Sequence, residues 1–131
     1  MFPSAFVEEG FKFLVFYFVV LKLKDFDEPM DALVYGTAVS LGFATLENIY
    51  YVYFSEFSEI YGSTALASIR AITSIPAHAS FGCLMGYFVL KHHFAKSKNN
   101  IIFALIVPSL VHYLYNFVVL NGELFILIII V

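Results

Sequence analysis

Four long apolar runs constrain this chain more than any other feature: Ala5–Leu23, Ala32–Phe54, Ser63–Leu90 and Ile101–Leu120. A helix that crosses the hydrocarbon core of a bilayer needs about 20 mostly apolar residues. No water is present there to satisfy unpaired backbone groups, so an open chain can cross only as helix. The runs therefore predict an all-α fold, a polytopic membrane helix bundle with four transmembrane helices in a single domain over 1–131. The connectors "KDFDEPMD", "SEFSEIYG" and "KHHFAKSKNN" hold the charges and turn formers. Asp31 stands where a cap for the second helix is needed. After Asn121-Gly122, "ELFILIIIV" is too short to span and reads as an interfacial tail or the start of a further helix. The opening "MFPSAFVEEG" carries acids and no basic residue, unlike a signal peptide.

Composition agrees with a membrane protein, at 61% hydrophobic and 13% charged residues. A net charge of −3 argues against a nucleic-acid partner, and the single cysteine, Cys83, allows no disulfide within the chain. Lysines set the expected orientation. Lys22 and Lys24 flank the first connector, and Lys91, Lys96 and Lys98 sit in or beside the third. Positively charged connectors stay cytoplasmic, so both termini are expected outside.

Ionisable groups inside membrane helices are costly and face the protein interior. Here they are Glu8, Glu9 and Lys12 in the first run, Glu47 in the second, Arg70 and His78 in the third and His112 in the fourth, joined by the amides of Asn48 and Asn116. Glu8 and Lys12 are four apart and share a helix face, where a pair can form. Gly36, Ser40 and Ala44 make a small-residue stripe that Glu47 and Tyr51 continue. Arg70, Ser74, His78 and Gly82 repeat the four-residue interval, as do His112 and Asn116. Small and polar stripes are where membrane helices pack, so the four stripes should converge and gather these groups in the outer half of the bilayer. Pro76, two residues before His78, should kink the third helix.

This set suits hydrolysis by an activated water. A carboxylate withdrawn from water is a stronger base. A histidine can hold the same water, and a second histidine with an asparagine amide can stabilise an oxyanion. The competing use is a metal, since two histidines with one or two glutamates make a plausible zinc set. Against zinc, no HExxH is present and the two histidines lie on different helices.

The segments "EEGFK", "DEPMDALVYGTAVSLGFATLENIYY", "RAITSIPAHASFGCLMG" and "HYLYN" occur in that order over residues 8–116. Together they resemble the PrsW family of intramembrane proteases, similar in its core to the CAAX prenyl protease and bacteriocin-immunity superfamily. The resemblance implies a glutamic peptidase, a hydrolase of the prokaryotic plasma membrane acting in intramembrane proteolysis without a cofactor. Glu8 would be the water-activating base, with Glu9 supporting the helix or the first carboxylate. His78 would complete water activation, and His112 with Asn116 would bind the oxyanion. Lys12, Glu47, Asn48 and Arg70 would shape the site. The implied substrate is a membrane-anchored protein or peptide such as an anti-sigma factor, cut near the outer face. Family members usually carry further membrane helices before the EE motif, whereas here Glu8 lies near the start. The expectation is a minimal version, a fragment, or a protomer covered by a second copy or a helper chain. Two alternatives stay open: a non-catalytic relative that binds or scaffolds membrane peptides, and a zinc-dependent membrane hydrolase.

Overall fold

The computed structural model describes residues 2–120 and Gly122, and all regular structure among the described residues is helical. The helices are α1 (Phe2–Phe18), α2 (Pro29–Phe54), α3 (Glu56–Tyr61), α4 (Ser63–Ile72), α5 (Ser74–His93) and α6 (Asn100–Leu120), with a 3-10 turn at Val20–Lys22 after α1. The apolar tail 123–131 lies outside the described residues.

Local chemistry sets the boundaries. α2 begins at Pro29, ahead of the apolar run, because a proline at the first helical position has no N–H to lose. Asp31 then caps the helix from within: its Oδ2 accepts the Glu28 N–H at 2.7 Å and the Asp27 N–H at 3.1 Å. The third run is not one helix. Pro76 cannot donate to the Ile72 carbonyl, so α4 stops at Ile72, and Thr73 (φ −113°, ψ −63°) joins it to α5. The proline-linked bend thus falls at Thr73, before Pro76 itself, and divides the run in two. The second connector also contains structure, the short α3, which Gly62 joins to α4. Gly62 sits at φ +80°, a left-handed conformation glycine adopts without a Cβ clash.

α5 is the hub of the packing, lying against α2 on one side and α6 on the other, while α1 leans on α6 and also touches α2. The α2–α5 contact is made backbone to backbone. Ala32, Gly36, Ser40 and Ala44 are buried on α2, facing Ser74, His78, Gly82 and Gly86 on α5. A Cβ added at Gly82 would strike the Gly36 carbonyl, and one at Gly86 would strike the carbonyl of Ala32. The small-residue stripes read from sequence are the surfaces that meet. At the connector-rich end the core is apolar, built from Phe16, Val20, Phe26, Ala32, Met85, Val89 and Ala104.

Polarity is inverted relative to a soluble domain. Glu9, Lys12, Ser40, His78, Ser109 and His112 are buried, whereas Leu46, Tyr53, Phe54, Ile60 and Ile72 are largely exposed. Apolar flanks around a polar interior fit a lipid surround. Among the described residues, one helix, Asn100–Val119 within α6, is by length and composition long and apolar enough to cross a membrane. Of the other runs, the first forms α1, with 17 residues that include Glu8, Glu9 and Lys12, and the third is split, whereas the second is the unbroken 26-residue α2, which carries Glu47 and Asn48.

Candidate active site

At the end opposite the apolar core, the charged residues of the helices join in one network. α1 contributes the adjacent Glu8 and Glu9 and, about one turn on, Lys12. Lys12 Nζ donates to Glu9 Oε1 at 2.7 Å and lies 2.9 Å from His78 Nδ1 on α5. Glu9 Oε1 also sits 2.8 Å from His112 Nδ1 on α6. On the far side, His78 Nε2 is 2.9 Å from Glu47 Oε2 on α2. The same Glu47 oxygen accepts from Arg70 Nη2 at 2.9 Å, and Arg70 Nε donates to Asn48 Oδ1 at 2.6 Å. Asn48, Arg70, Glu47, His78, Lys12, Glu9 and His112 are therefore linked without a gap. Glu8 closes the line, its Oε2 3.7 Å from His112 Nε2.

The neighbours hold these groups in place. Ser40 Oγ donates to the His78 carbonyl at 2.6 Å, which fixes the turn of α5 that carries the histidine. Ser74 Oγ accepts from Arg70 Nη2 at 3.1 Å and bridges the break between α4 and α5. The Arg70 guanidinium lies 4.1 Å from the Tyr51 ring centroid, a cation–π contact on its exposed side. Phe81 stacks on His112 with ring centroids 4.7 Å apart, so that imidazole cannot turn freely.

All nine residues expected to form the site lie in this part of the molecule, with one change of partner. Lys12 pairs with Glu9 at i,i+3, not with Glu8 at i,i+4. Both spacings put residues on one helix face; the lysine turns toward Glu9 because only that carboxylate lies between it and His112. Asn116 is one turn beyond His112 and half-buried, and its side chain makes no hydrogen bond among the described residues. Ser40 was legible only as a small packing residue, and its bond to His78 had no sequence signal beyond the shared stripe.

Glu8 differs from Glu9 in lining a crevice. Its Oε2, like that of the fully buried Glu9, is buried and has no hydrogen-bond partner among the described residues. It forms the floor of a crevice of about 270 Å³ between α1 and α2, lined also by Phe43, Leu46, Glu47, Tyr50 and Tyr51. A buried, unpartnered carboxylate costs free energy unless something binds it.

Over residues 1–131 the chain matches the model of the PrsW family of intramembrane metalloproteases. It belongs to the PrsW family. Protease PrsW of Oceanobacillus iheyensis is 38% identical over 97% of this chain, and that of Bacillus subtilis is 38% identical over 88%. Protease PrsW of Clostridioides difficile is 36% identical over 89%. The chain spans about half the length of these curated relatives, between 50 and 57%. No solved structure gives a significant match. Membership in this family and the apolar α6 helix assign the chain to a membrane.

The family description raises the question of a metal. Glu8, His78 and His112 each bring a ligand atom within 4.8 Å of the others, close enough to surround an ion. Their hydrogen bonds tell against the full set. Both ring nitrogens of His78 are engaged, one by the Lys12 amine and one by Glu47. As bonded, the set leaves two free ligand atoms, Glu8 Oε2 and His112 Nε2, where a catalytic zinc takes three from the protein. The PrsW residues present here do not fit a catalytic metal in this arrangement.

Proposed function

We propose that this PrsW-family chain forms the catalytic part of an intramembrane endopeptidase in which Glu8 activates a water, without a metal. The observation that carries this reading is Glu8 Oε2: buried, unpartnered, and facing His112 Nε2 at the floor of the α1–α2 crevice. A water hydrogen-bonded to both groups gives one proton to Glu8 as its oxygen adds to the scissile carbonyl carbon. That proton then passes to the leaving nitrogen as the C–N bond breaks, releasing one acid and one amine. The Asn116 amide, one turn beyond His112, is free to donate to the oxyanion.

The crevice opens along the exposed side of Leu46, so the substrate we propose is a membrane-anchored protein or peptide entering sideways between α1 and α2, an anti-sigma factor being one candidate. With α1, α2, α4–α5 and α6 as four spans and the lysine-bearing connectors inside, this cleavage lies near the outer face. A second copy or a helper chain would cover the apolar flanks that lipid does not.

The test is cleavage of a panel of membrane-anchored peptide reporters by purified protein in lipid, with and without a strong chelator. Cleavage unchanged by the chelator, with no stoichiometric metal in the active protein, is the expected result. Cleavage abolished by the chelator and restored by zinc would give the site to a metal, and no cleavage of any reporter by folded protein would favour a peptide-binding role. Leu46→Trp, which fills the crevice mouth, is expected to lower kcat/KM roughly tenfold or more. Unaltered cleavage by that variant would move the entry path elsewhere.

A further inference from the structure

The hydrogen bonds around the two histidines differ in kind, and their donors and acceptors can be followed to the end. A lysine ammonium has protons to give and no lone pair. Lys12 is 1% exposed and holds the Glu9 carboxylate at 2.7 Å, so it faces His78 Nδ1 as a donor. His78 Nδ1 must then carry a lone pair. The proton of the neutral ring sits on Nε2, where Glu47 Oε2 accepts it at 2.9 Å. Glu47 is free to accept because its other partner, Arg70, only donates. At His112 the order is reversed. Glu9 Oε1 can only accept, so the proton of His112 sits on Nδ1, and Nε2 is left with a lone pair pointing toward Glu8.

We propose that Lys12 and Glu9 are positioning residues that fix the two histidines in opposite tautomers, His112 Nε2 as the proton acceptor beside Glu8 and His78 Nε2–H as the proton donor beside Glu47. This deepens the proposed peptidase reading and rests on it for its catalytic meaning, although the tautomers themselves do not depend on activity. It exchanges the roles the sequence suggested. His112 shares the water with Glu8, and His78, whose Nε2–H can leave Glu47 for a substrate oxygen, joins Asn116 in holding the oxyanion. One ion pair serves both rings. Glu9 Oε1 orders His112 directly, and its partner Lys12 orders His78, so the Glu9–Lys12 pair imposes opposite proton placements on rings whose centroids are 5.2 Å apart.

The test is nitrogen-15 NMR of histidine-labelled protein in lipid nanodiscs, where ring-nitrogen shifts and their coupled protons separate the two neutral tautomers from the doubly protonated ring. His78→Asn and His112→Asn assign the signals against those of His92 and His93. Wild type should show His78 protonated at Nε2 alone and His112 protonated at Nδ1 alone. In Lys12→Met, where only the Glu47 carboxylate still orders His78, the Nδ1–H tautomer should become detectable beside Nε2–H, while His112 keeps its proton on Nδ1. Glu9→Gln should release His112. In the reporter cleavage assay, Lys12→Met should lower kcat by roughly 10²-fold with KM little changed, and Lys12→Arg should recover part of the loss because it still donates. His78 protonated at Nδ1 in wild type, or a doubly protonated His112, would overturn the proposal. The wild-type spectrum decides between these outcomes even if the variants do not fold, and does so whether or not any reporter is cleaved.

Discussion

Glu8→Gln is expected to abolish peptide cleavage while leaving the helix bundle as stable as before. The two side chains have the same size and shape, and Glu8 Oε2 makes no hydrogen bond that the amide could forfeit. The substitution also removes a carboxylate that is 22% exposed, close to water and outside the Lys12–Glu9 pair. What the amide cannot do is take a proton from water. Loss of a positioned general base costs about 10²–10⁴-fold in rate. The measurement is kcat on the best reporter beside thermal unfolding in the same lipid. Full cleavage by Glu8→Gln would remove this residue from the chemistry. A fall in Tm together with the fall in rate would make it a structural acid, the role expected of Glu9 from its buried pair with Lys12. Glu9→Gln should show that contrast clearly, because it strips the buried ammonium of Lys12 of its partner, a change that costs several kcal/mol.

The second large effect concerns the fold. Gly86→Val is expected to separate α2 from α5, because the added Cβ would meet the carbonyl of Ala32 and the Cα of Leu33, and backbone has no rotamer to escape into. Overpacking of this kind costs about 3 kcal/mol or more where nothing can yield. Helices in lipid gain little from hiding apolar surface, so close packing and buried hydrogen bonds carry their association. Pushing α5 away from α2 also lengthens the Ser40–His78 and Glu47–His78 bonds, so stability and activity should fall together. Unfolding in mild detergent, followed by circular dichroism, measures the first. Gly10→Ala on α1, where an added Cβ meets nothing, serves as the control. A variant at Gly86 as stable as wild type would mean that the two backbones are not in contact.

Much of this was legible because membrane sequences advertise their interiors. The stripes at four-residue intervals marked the faces of α2 and α5 that meet, and charges buried among apolar residues marked the groups that the fold gathers into one network. Boundaries were less legible where polar atoms decided them. α2 starts at Pro29 because of Asp31 and not because apolarity begins there, and the third run divides at Thr73 because a proline three residues later withholds an N–H. Partner choice was the least legible. Spacing puts Lys12 on a shared face with Glu8 and with Glu9 alike, and only the approach of α5 and α6 in three dimensions selects Glu9. The direction of the histidine hydrogen bonds depends on that choice, so proton placement could not be read from the residues alone.

The glycine seam between α2 and α5 also says which parts of the molecule can move. Two backbones in contact leave no side-chain layer to shear, so these helices travel as one rigid plate. α1 reaches that plate through the buried ammonium of Lys12, which lies against His78 and over the Phe43 ring. If a membrane segment enters as proposed above, opening the crevice would be a tilt of α1 against a fixed wall, with Glu8 riding on the element that moves and His78 on the one that stays. Each closing stroke of such a hinge would bring the base to the histidine and assemble the two halves of the chemistry around whatever lies between them.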